Sequence, residues 1–487
     1  MAQIKVNNLT FSYPGSYLDI FKNVSFQIDT DWKLGFIGRN GRGKTTFLNL
    51  LMEKYPYQGT INSPLDYEYF PFLIKDSNPK TVDIAADIVG YLQDWQLVCE
   101  LNKLEVDSEV LNRSFNTLSE GERTKILLAS LFLKEHRFLL IDEPTNHLDF
   151  KSRQVVADYL TTKKGFILVS HDRHFLDCCV DHILSINKAN IEVQKGDFSR
   201  WYYNKQLQDN YEIQENKRLQ QEIKRLNQAA QRTSKWSYLV EKTKIGSKGD
   251  KGYIGHKAAK MMKRSKTIEA RVTQTIAEKT ALLKDIETQD ELKLLPLSYH
   301  SPRLVDFNGV TMYYGMKQVG PELTFSINQG DRVAIIGNNG SGKSTLLKLI
   351  VETTTVYQGY FRKGSNLIIS YVPQSTADLT GNLSDYADTY QINESLFKAI
   401  LRKLDFTRDH FVNDIKNFSS GQKKKVLIAR SLCQQAHLYI WDEPLNYIDV
   451  FSRIQIEDLL LSCQATVVFV EHDAAFVDRI ATKKIYL

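Results

Sequence analysis

Two segments of the sequence, GRNGRGKTT at residues 38–46 and GNNGSGKST at residues 337–345, fit the pattern G-x-x-x-x-G-K-[ST]. In this pattern the glycines let backbone N–H groups point at phosphate oxygens, and the helix that follows adds the positive end of its dipole. Short apolar runs, Leu34–Ile37 and Val333–Ile336, precede the two segments. Each segment is therefore predicted to be a phosphate-binding loop between a strand and a helix.

The side chains of the two loops have separate expected roles. Lys44 and Lys343 are expected to reach the β and γ phosphates of a nucleotide, and the hydroxyls of Thr45 and Ser344 are placed to bind Mg²⁺. The other candidate nucleotide-binding positions are Gly38, Asn40, Gly41, Gly43 and Thr46 in the first loop and Gly337, Asn339, Gly340, Gly342 and Thr345 in the second.

The spacing of matching motifs indicates an internal repeat. Lys44 precedes Lys343 by 299 residues, and Glu143 precedes Glu443 by 300. Both halves alternate β-branched runs such as FLLIDEP and LYIWDEP with helical patterns, which favours a mainly parallel sheet flanked by helices. We predict two tandem α/β nucleotide-binding domains, at residues 1–197 and 298–487.

The segment between them, residues 198–297, is rich in Lys, Glu, Gln and Arg. Its apolar residues recur at helical spacing and predict two long antiparallel helices; they are Leu207, Tyr211, Leu219, Ile223 and Leu226, then Ile268, Val272, Ile276, Leu283 and Ile286. The first helix is expected at about residues 205–239, and the glycine-rich stretch 245–255 is expected to break the pattern. Residues 230–266 hold eleven Lys or Arg against two acids, so this linker has a basic tip.

Acidic residues end an apolar strand in each half. Asp142 and Asp442 can hold Mg²⁺ through water, and the glutamates after them, Glu143 and Glu443, can polarise an attacking water. The histidines that close a later apolar strand, where a ring nitrogen can contact the γ phosphate, are His171 and His472.

One further segment occurs in each half: LSEGERTK at residues 118–125 and FSSGQKKK at residues 418–425. Together with the phosphate loops, the acidic strand ends and the histidines, these segments resemble the Walker A, signature, Walker B, D-loop and H-switch elements of ATP-binding cassette proteins, in the correct order. The resemblance implies a head-to-tail sandwich in which two ATP molecules are each shared by a Walker A loop and the opposite signature. The implied sets are Lys44 with Ser419 and Gly421, and Lys343 with Ser119 and Gly121.

Two further pairs of positions follow from the resemblance. Tyr13 and Tyr314, expected just before the early strands, occupy the place where family members stack adenine on an aromatic ring; the alternative is a packed tyrosine on an edge strand. Gln374 stands at the Q-loop position, as a candidate metal ligand, whereas Phe72 stands there in the first half. Phenylalanine can neither ligate Mg²⁺ nor orient water, so the first ATP site is expected to bind metal less completely.

The chain is most similar to the ABC-F family, and within it to the antibiotic-resistance branch of Lsa and Vga type. The segments that carry this likeness are LSEGE, DEPTNHLD, WKLGFIGRNGRGKTT, KMMKRSK and YIWDEPLNYIDV. The resemblance implies an ATPase that binds the exit site of the bacterial ribosome. Its linker would reach along peptidyl-site tRNA toward the peptidyl-transferase centre and dislodge lincosamides, streptogramins A and pleuromutilins. A housekeeping ABC-F translation factor is the alternative, and an ATPase subunit of a transporter is a third reading.

The same patterns narrow the expected partners and location. No run approaches the roughly 18 apolar residues of a membrane span, and no long insertion of the kind found in DNA-repair ATPases separates the first phosphate loop from its signature. We therefore expect no membrane and no DNA partner, a cytoplasmic location and a monomer off the ribosome.

Basic and aromatic residues around the tip suit ribosomal RNA, since lysines neutralise phosphates and aromatic rings stack on bases. The alternative for each lysine is a solvated helix face, and the alternative for the linker as a whole is a coiled-coil protein partner. The candidate RNA-binding residues are Trp236, Tyr238, Lys242, Lys244, Lys248, Lys251, Tyr253, Lys257, Lys260, Lys263 and Arg264.

Overall fold

The computed structural model describes residues 2–15, 19–72, 74, 77–90, 94–134, 136–146, 148–187, 190–242, 256, 260, 263, 266–267, 270–276, 279, 292–315, 317–352 and 355–487. At residues 94 and 229–242 the description is of the backbone alone. The chain divides into two compact units, one of residues 1–201 with 289–487 and one of residues 202–288.

The first half of the larger unit is built on two sheets. A six-stranded sheet has the order β5-β6-β7-β3-β8-β9 and is parallel except for its last pair, β8 with β9. A three-stranded antiparallel sheet has the order β2-β1-β4. The strands are β1 (Gln3–Phe11), β2 (Phe21–Asp29), β3 (Lys33–Ile37), β4 (Gln58–Asn62), β5 (Asp66–Phe70), β6 (Arg137–Asp142), β7 (Phe166–Val169), β8 (His182–Asn187) and β9 (Asn190–Lys195).

The second half repeats this plan. Its five-stranded sheet, in the order β14-β15-β16-β12-β17, is parallel throughout, and its antiparallel sheet has the order β11-β10-β13. The mainly parallel sheets are confirmed, whereas the antiparallel sheets were not predicted. The strands are β10 (Arg303–Tyr314), β11 (Lys317–Asn328), β12 (Arg332–Ile336), β13 (Val356–Lys363), β14 (Ile369–Val372), β15 (Leu438–Asp442), β16 (Val467–Val470) and β17 (Lys483–Tyr486).

Helices cover the sheets in both halves. Those of the first half are Lys44–Leu51, Thr81–Val89, Asp94–Lys103, Glu120–Phe132, Phe150–Thr161 and Arg173–Cys179. Those of the second are Lys343–Glu352, Leu383–Thr389, Glu394–Lys403, Ser420–Cys433, Val450–Ser462 and Ala474–Ile480. Short 3₁₀ turns occupy Ser108–Asn112, Phe115–Thr117, Arg408–Phe411 and Ile415–Asn417.

Strands β7 and β16 are buried along their whole length, as their continuous apolar runs require. All four residues of β7 and all four of β16 are buried, which is typical of a parallel strand covered on both faces. In β1 the burial alternates, so that Ile4 and Val6 pack inward while their neighbours face solvent. Because parallel strands end at one edge of a sheet, the ends of β3, β6 and β7 bring their following loops together.

A 45-residue helix, Phe198–Lys242, leads into the smaller unit. It is longer than the predicted 205–239, and at roughly 1.5 Å per residue it extends about 67 Å. Residues 270–276 are also helical, and Lys279 Nζ donates a hydrogen bond of 2.6 Å to Glu222 Oε2 of the long helix. Along the described part of the chain, no helix is long and apolar enough to cross a bilayer.

The predicted apolar seam of the long helix is only partly right. Leu219, Ile223 and Leu226 are half-buried, but Leu207 and Tyr211 are 53% and 66% exposed. The half-buried positions are residues 202, 205, 209, 212, 213, 216, 219, 222, 223 and 226; they follow a seven-residue repeat in steps of three and four, with 213 and 222 beside it, and they include polar side chains. Val272 and Ile276 are half-buried, while residues 245–255, 268, 283 and 286 lie outside the described residues.

Candidate nucleotide-binding site

Both phosphate loops turn on glycines with left-handed backbone conformations. Gly41 and Gly340 have φ +80°, and a Cβ added to either would meet no atom within 4 Å. At Gly43 and Gly342 a Cβ would come within 2.6 Å of a neighbouring side chain. The second of these glycines in each loop is therefore required by packing as well as by φ, and the first leaves an open cradle lined by backbone amides.

The loop lysines lie across the mouths of their own cradles. Lys44 Nζ donates to the carbonyls of Gly38 at 2.7 Å and Arg39 at 3.3 Å. Lys343 Nζ donates to Gly337 and Asn338, both at 2.9 Å. Burial lowers the pKa of both lysines, because a buried ammonium loses hydration. A phosphate entering either cradle would supply the negative charge that the carbonyls supply only in part.

The aspartates that end β6 and β15 fit the cation expected there. Thr45 Oγ1 donates to Asp142 Oδ2 at 3.3 Å, and the Ser344 hydroxyl contacts Asp442. Asp442 Oδ1 is buried and makes no hydrogen bond to the described residues, and burial raises the pKa of Asp442 to about 6. Oxygen donors of this kind suit Mg²⁺. When bound, Mg²⁺ would supply positive charge to the phosphates, held by this carboxylate and hydroxyl.

Each glutamate after these aspartates lies beside the H-switch histidine. His171 Nε2 is 3.3 Å from Glu143 Oε1, and His472 Nε2 is 3.5 Å from Glu443 Oε1. Gln374 Nε2 donates to Glu443 Oε2 at 2.8 Å. The structure thus brings each predicted glutamate and histidine together, and it places the Gln374 amide against a glutamate.

The two glutamates have opposite electrostatic settings. Burial, with the charge of Asp142, raises the pKa of Glu143 to about 8. Burial would also raise the pKa of Glu443, but hydrogen bonds from His472 and Gln374 lower it to about 2. The carboxylates are therefore held differently although the two motifs are nearly identical in sequence.

Both signature serines cap a helix. Ser119 Oγ accepts from Glu122 N at 3.3 Å while Glu122 Oε2 accepts from Ser119 N at 2.8 Å, and Ser419 with Gln422 forms the same capping box. The capping pattern was present in the sequence as S-x-x-E and S-x-x-Q. It leaves each hydroxyl at the positive end of a helix, where an anion is favoured.

The second composite site is an open cavity. Lys343 and Gln374 of the second half line a cavity of about 900 Å³ together with Ser119 and Gly121 of the first half. This is the pairing that the head-to-tail arrangement implied for Lys343. Also lining it are Asn339, Gly340, Gly342, Ser344, Thr345, Glu443 and His472.

The first composite site is more closely held. Asn40 Nδ2 donates to the Tyr447 carbonyl at 2.8 Å, and a Cβ added to Gly421 would lie 2.4 Å from that carbonyl oxygen and 2.9 Å from Asn40 Nδ2. Arg39 forms an ion pair with Asp405 of the second half. The signature of the second half, which contains Ser419, thus lies against the loop of Lys44.

One ion pair between the halves has no equivalent at the position related by the internal repeat. Arg173 donates to both carboxylate oxygens of Glu457, at 3.1 Å to Oε2, and the side chain of Glu457 is fully buried. The positions equivalent by the repeat, Ala474 and Ala157, carry no charge. The pseudo-two-fold relation of the halves is therefore broken at the interface as well as at the two sites.

The aromatic positions expected to stack on adenine also differ. Tyr13 follows β1 and precedes β2, and Tyr314 ends β10 and precedes β11, so each lies between the first two strands of its half. The Tyr13 hydroxyl lies 2.9 Å from Thr46 Oγ1, and its ring packs edge-on against Phe11 and Tyr55 at 5.1 and 5.7 Å. Tyr314 is 82% exposed. Only the first ring is held in place by its neighbours.

The candidate RNA-binding residues are only partly described. The backbone positions of Trp236, Tyr238 and Lys242 belong to the long helix, and Lys260 and Lys263 are helical and exposed. The others, which lie outside the described residues, are Lys244, Lys248, Lys251, Tyr253, Lys257 and Arg264.

Comparison with known proteins decides the family. The profile of the ABC transporter family matches residues 21–146 and 321–446, which together make up more than half of the chain. The chain belongs to the ABC transporter family. Its two ABC cassettes support ATPase activity, and the relatives named below support placement in the ABC-F group.

Two curated relatives span nearly the whole chain. The Bacillus subtilis ribosome protection protein VmlR is 29% identical over 98% of this chain and 85% of its own. The Caulobacter vibrioides ATP-binding protein Uup is 26% identical over 96% of this chain and 74% of its own. Among solved structures, a model of ribosome-bound archaeal Pelota and ABCE1 has a TM-score of 0.64 at 19% identity, covering 98% of this chain and 76% of that chain; at this identity it supports the ABC fold alone.

Sequence reasoning missed one buried carboxylate that joins two motifs of the second cassette. Glu471 Oε1 accepts from Leu445 N at 2.7 Å, and its other oxygen accepts from His472 N at 3.2 Å. Burial raises the pKa of Glu471 to about 7. The positive charge of Arg453 lowers this pKa, and the negative charges of Glu443 and Asp473 raise it further. The position before the histidine in the first cassette is a serine, and that difference was the only available signal.

This raised pKa predicts a pH-dependent stability. A carboxyl whose folded pKa exceeds its unfolded value of about 4.5 stabilises the fold fully below that value, and the contribution is lost as the pH rises through 7. The difference in free energy of unfolding between Glu471→Gln and the wild type should therefore depend on pH. We expect this difference to favour the variant by about 2 to 3 kcal/mol more at pH 8 than at pH 5. Urea unfolding at both pH values measures this, with exposed Glu322→Gln as the control. An equal difference at both pH values would contradict it.

Proposed function

We propose that this chain is an ATP-dependent ribosome protection protein of the antibiotic-resistance branch of the ABC-F group. It binds ATP with Mg²⁺ between its two cassettes and hydrolyses it to ADP and phosphate. ATP-bound closure presents a surface that binds the exit site of the bacterial ribosome in the cytoplasm. The domains are residues 1–197 and 298–487 for the cassettes and 198–297 for a bihelical, antiparallel coiled-coil linker.

The observation that carries this proposal is the full-length likeness to a protein named as a ribosome protection protein, across both cassettes and the linker between them. The linker has the required reach and charge. Its first helix extends about 67 Å at roughly 1.5 Å per residue, and lysines such as Lys260 and Lys263 are exposed. Such a linker can follow the acceptor stem of peptidyl-site tRNA and contact ribosomal RNA phosphates near the peptidyl-transferase centre.

The drugs displaced are lincosamides, streptogramins A and pleuromutilins, which bind at that centre. A housekeeping ABC-F factor acting on stalled ribosomes is the second candidate, favoured by the likeness to the ATP-binding protein Uup at 26% identity. Both candidates share the exit site, and drug protection separates them.

The test is a double variant, Glu143→Gln with Glu443→Gln. Losing both carboxylates removes water polarisation while the phosphate cradles remain, so the variant should bind ATP, close and stay closed. We expect it to co-sediment with ribosomes in ATP and to be released in buffer without nucleotide. The control carries the same change at two exposed positions, Glu109→Gln with Glu322→Gln, and should sediment like the wild type. Sedimentation of the double variant that is no greater with ATP than without would overturn the proposal.

A further inference from the structure

A tyrosine hydroxyl in the first cassette contacts the aspartate expected to hold Mg²⁺. Tyr69 OH donates to Asp142 Oδ2 at 2.9 Å, and Thr45 Oγ1 donates to the same oxygen at 3.3 Å. Tyr69 lies on β5, which pairs in parallel with β6, and its partner in the register is Leu140, two residues before Asp142. The strand register therefore fixes the distance between the hydroxyl and the carboxylate.

The second cassette has a different polar side chain beside its two acidic residues. Gln374 donates to Glu443 at 2.8 Å from the position that Phe72 holds in the first cassette. Tyr371, the equivalent of Tyr69, makes no hydrogen bond to Asp442 in the part of the chain that the structure describes. The donor beside the acidic pair is therefore an amide on the glutamate in the second cassette and a hydroxyl on the aspartate in the first.

The side chain of Phe72 has no polar atom, and its ring lies beside a lysine. Lys134 Nζ lies 5.4 Å above the centre of its ring and pairs with Glu68 at 3.0 Å. This cation–π contact holds the ring against the edge of the sheet. The first cassette thus has no amide at the Q-loop position, and the hydroxyl of Tyr69 is the donor that contacts Asp142 from β5.

We propose that Tyr69 is a positioning residue for the divalent cation of the first ATP site, where its hydroxyl orients the Asp142 carboxylate in a cassette that has no glutamine at the Q-loop position. The proposal deepens the proposed function and rests on the Mg²⁺ binding stated there. Tyr69 is suited to this task because a phenol carries a proton that it can donate to a carboxylate. A donor bonded to one carboxylate oxygen restricts how the other oxygen can face a cation.

The test isolates the first site in the full-length chain carrying Lys343→Ala. Affinity for a fluorescent, non-hydrolysable ATP analogue is measured with Mg²⁺ and with EDTA, and Mn²⁺ replaces Mg²⁺ for electron paramagnetic resonance of the bound metal. We expect Tyr69→Phe to reduce the affinity gained from Mg²⁺ about tenfold, as loss of a hydrogen bond to a charged group does. Affinity in EDTA should not change, and the Mn²⁺ spectrum should broaden.

Rescue and a matched control complete the design. Adding Phe72→Gln to Tyr69→Phe should restore most of the Mg²⁺ gain, because an amide donor returns to the site. Tyr371→Phe in a Lys44→Ala background should leave the Mg²⁺ gain of the second site unchanged. Equal losses in Mg²⁺ and EDTA would show a merely structural role and overturn the proposal. A chain whose ATP affinity never responds to Mg²⁺, at either site, would overturn the metal part of the proposed function as well.

Discussion

Replacing residues 240–254 with a four-residue Gly-Ser turn is expected to abolish drug protection while leaving ATP hydrolysis intact. Under the proposed function the drugs lie deep in the large subunit, farther from the exit site than a cassette can reach, so protection would depend on the linker tip. The segment contains five of the candidate RNA-binding lysines or aromatics and none of the nucleotide-binding residues. Basic, glycine-containing segments of this kind can order against RNA on binding.

The measurement is the minimal inhibitory concentration of a lincosamide and a pleuromutilin in a susceptible host. The shortened form should protect no better than an empty vector, although its basal ATPase equals that of the wild type. A second variant keeps the length of the tip and replaces Lys244, Lys248 and Lys251 with Gln, which separates reach from charge. Undiminished protection by the shortened form would exclude a tip-based mechanism, and the absence of protection by the wild type would favour the housekeeping candidate.

Replacing Arg173 with alanine is expected to destabilise the assembled cassettes by about 3 kcal/mol, because it leaves a buried carboxylate with one partner fewer. Glu457 has no exposed side-chain surface, and after the change Arg479, at 2.7 Å, would be its remaining ion-pair partner among the described residues. Arg479 is 43% exposed and is therefore partly screened by water. The free energy of the first cooperative transition in urea measures the loss.

The chain itself offers the matched control. Arg173→Ala combined with Glu457→Ala recreates the uncharged pair Ala157 and Ala474 that the repeat places on the opposite side of the interface. The double variant should be more stable than Arg173→Ala alone, since no buried charge is left with fewer partners. A loss below about 0.5 kcal/mol for Arg173→Ala would be the behaviour of an exposed ion pair and would contradict the expected role.

If the pair holds the halves together as expected, the first ATP site is the less readily opened one. At the first site the two halves are joined by the hydrogen bond from Asn40 to Tyr447 and by the ion pair of Arg39 and Asp405. The second site is a cavity of about 900 Å³. Nucleotide would then exchange more readily at the second site. This extends the sequence-based hypothesis of unequal sites, which rested on Phe72 alone.

The sequence by itself determined the repeat, the phosphate loops and the strands that carry them. These features are local: the expected strand 34–37 is β3, and the glycine pattern needs only its own backbone angles to form a cradle. The capping boxes at Ser119 and Ser419 were likewise readable, because a cap and its partner are three residues apart. Helix existence was predicted better than helix bounds, since end residues depend on tertiary packing.

Only the tertiary structure decided the interactions between residues distant in sequence. Asn40 and Tyr447 are 407 residues apart and Arg173 and Glu457 are 284 apart, so no periodicity or motif could pair them. The burial that gives Glu143 and Glu443 opposite pKa shifts depends on which side chains surround each carboxylate. Near-identical motifs specify the same local backbone, but the electrostatics of a site follow from everything packed around it, and the two halves of this chain surround their sites differently.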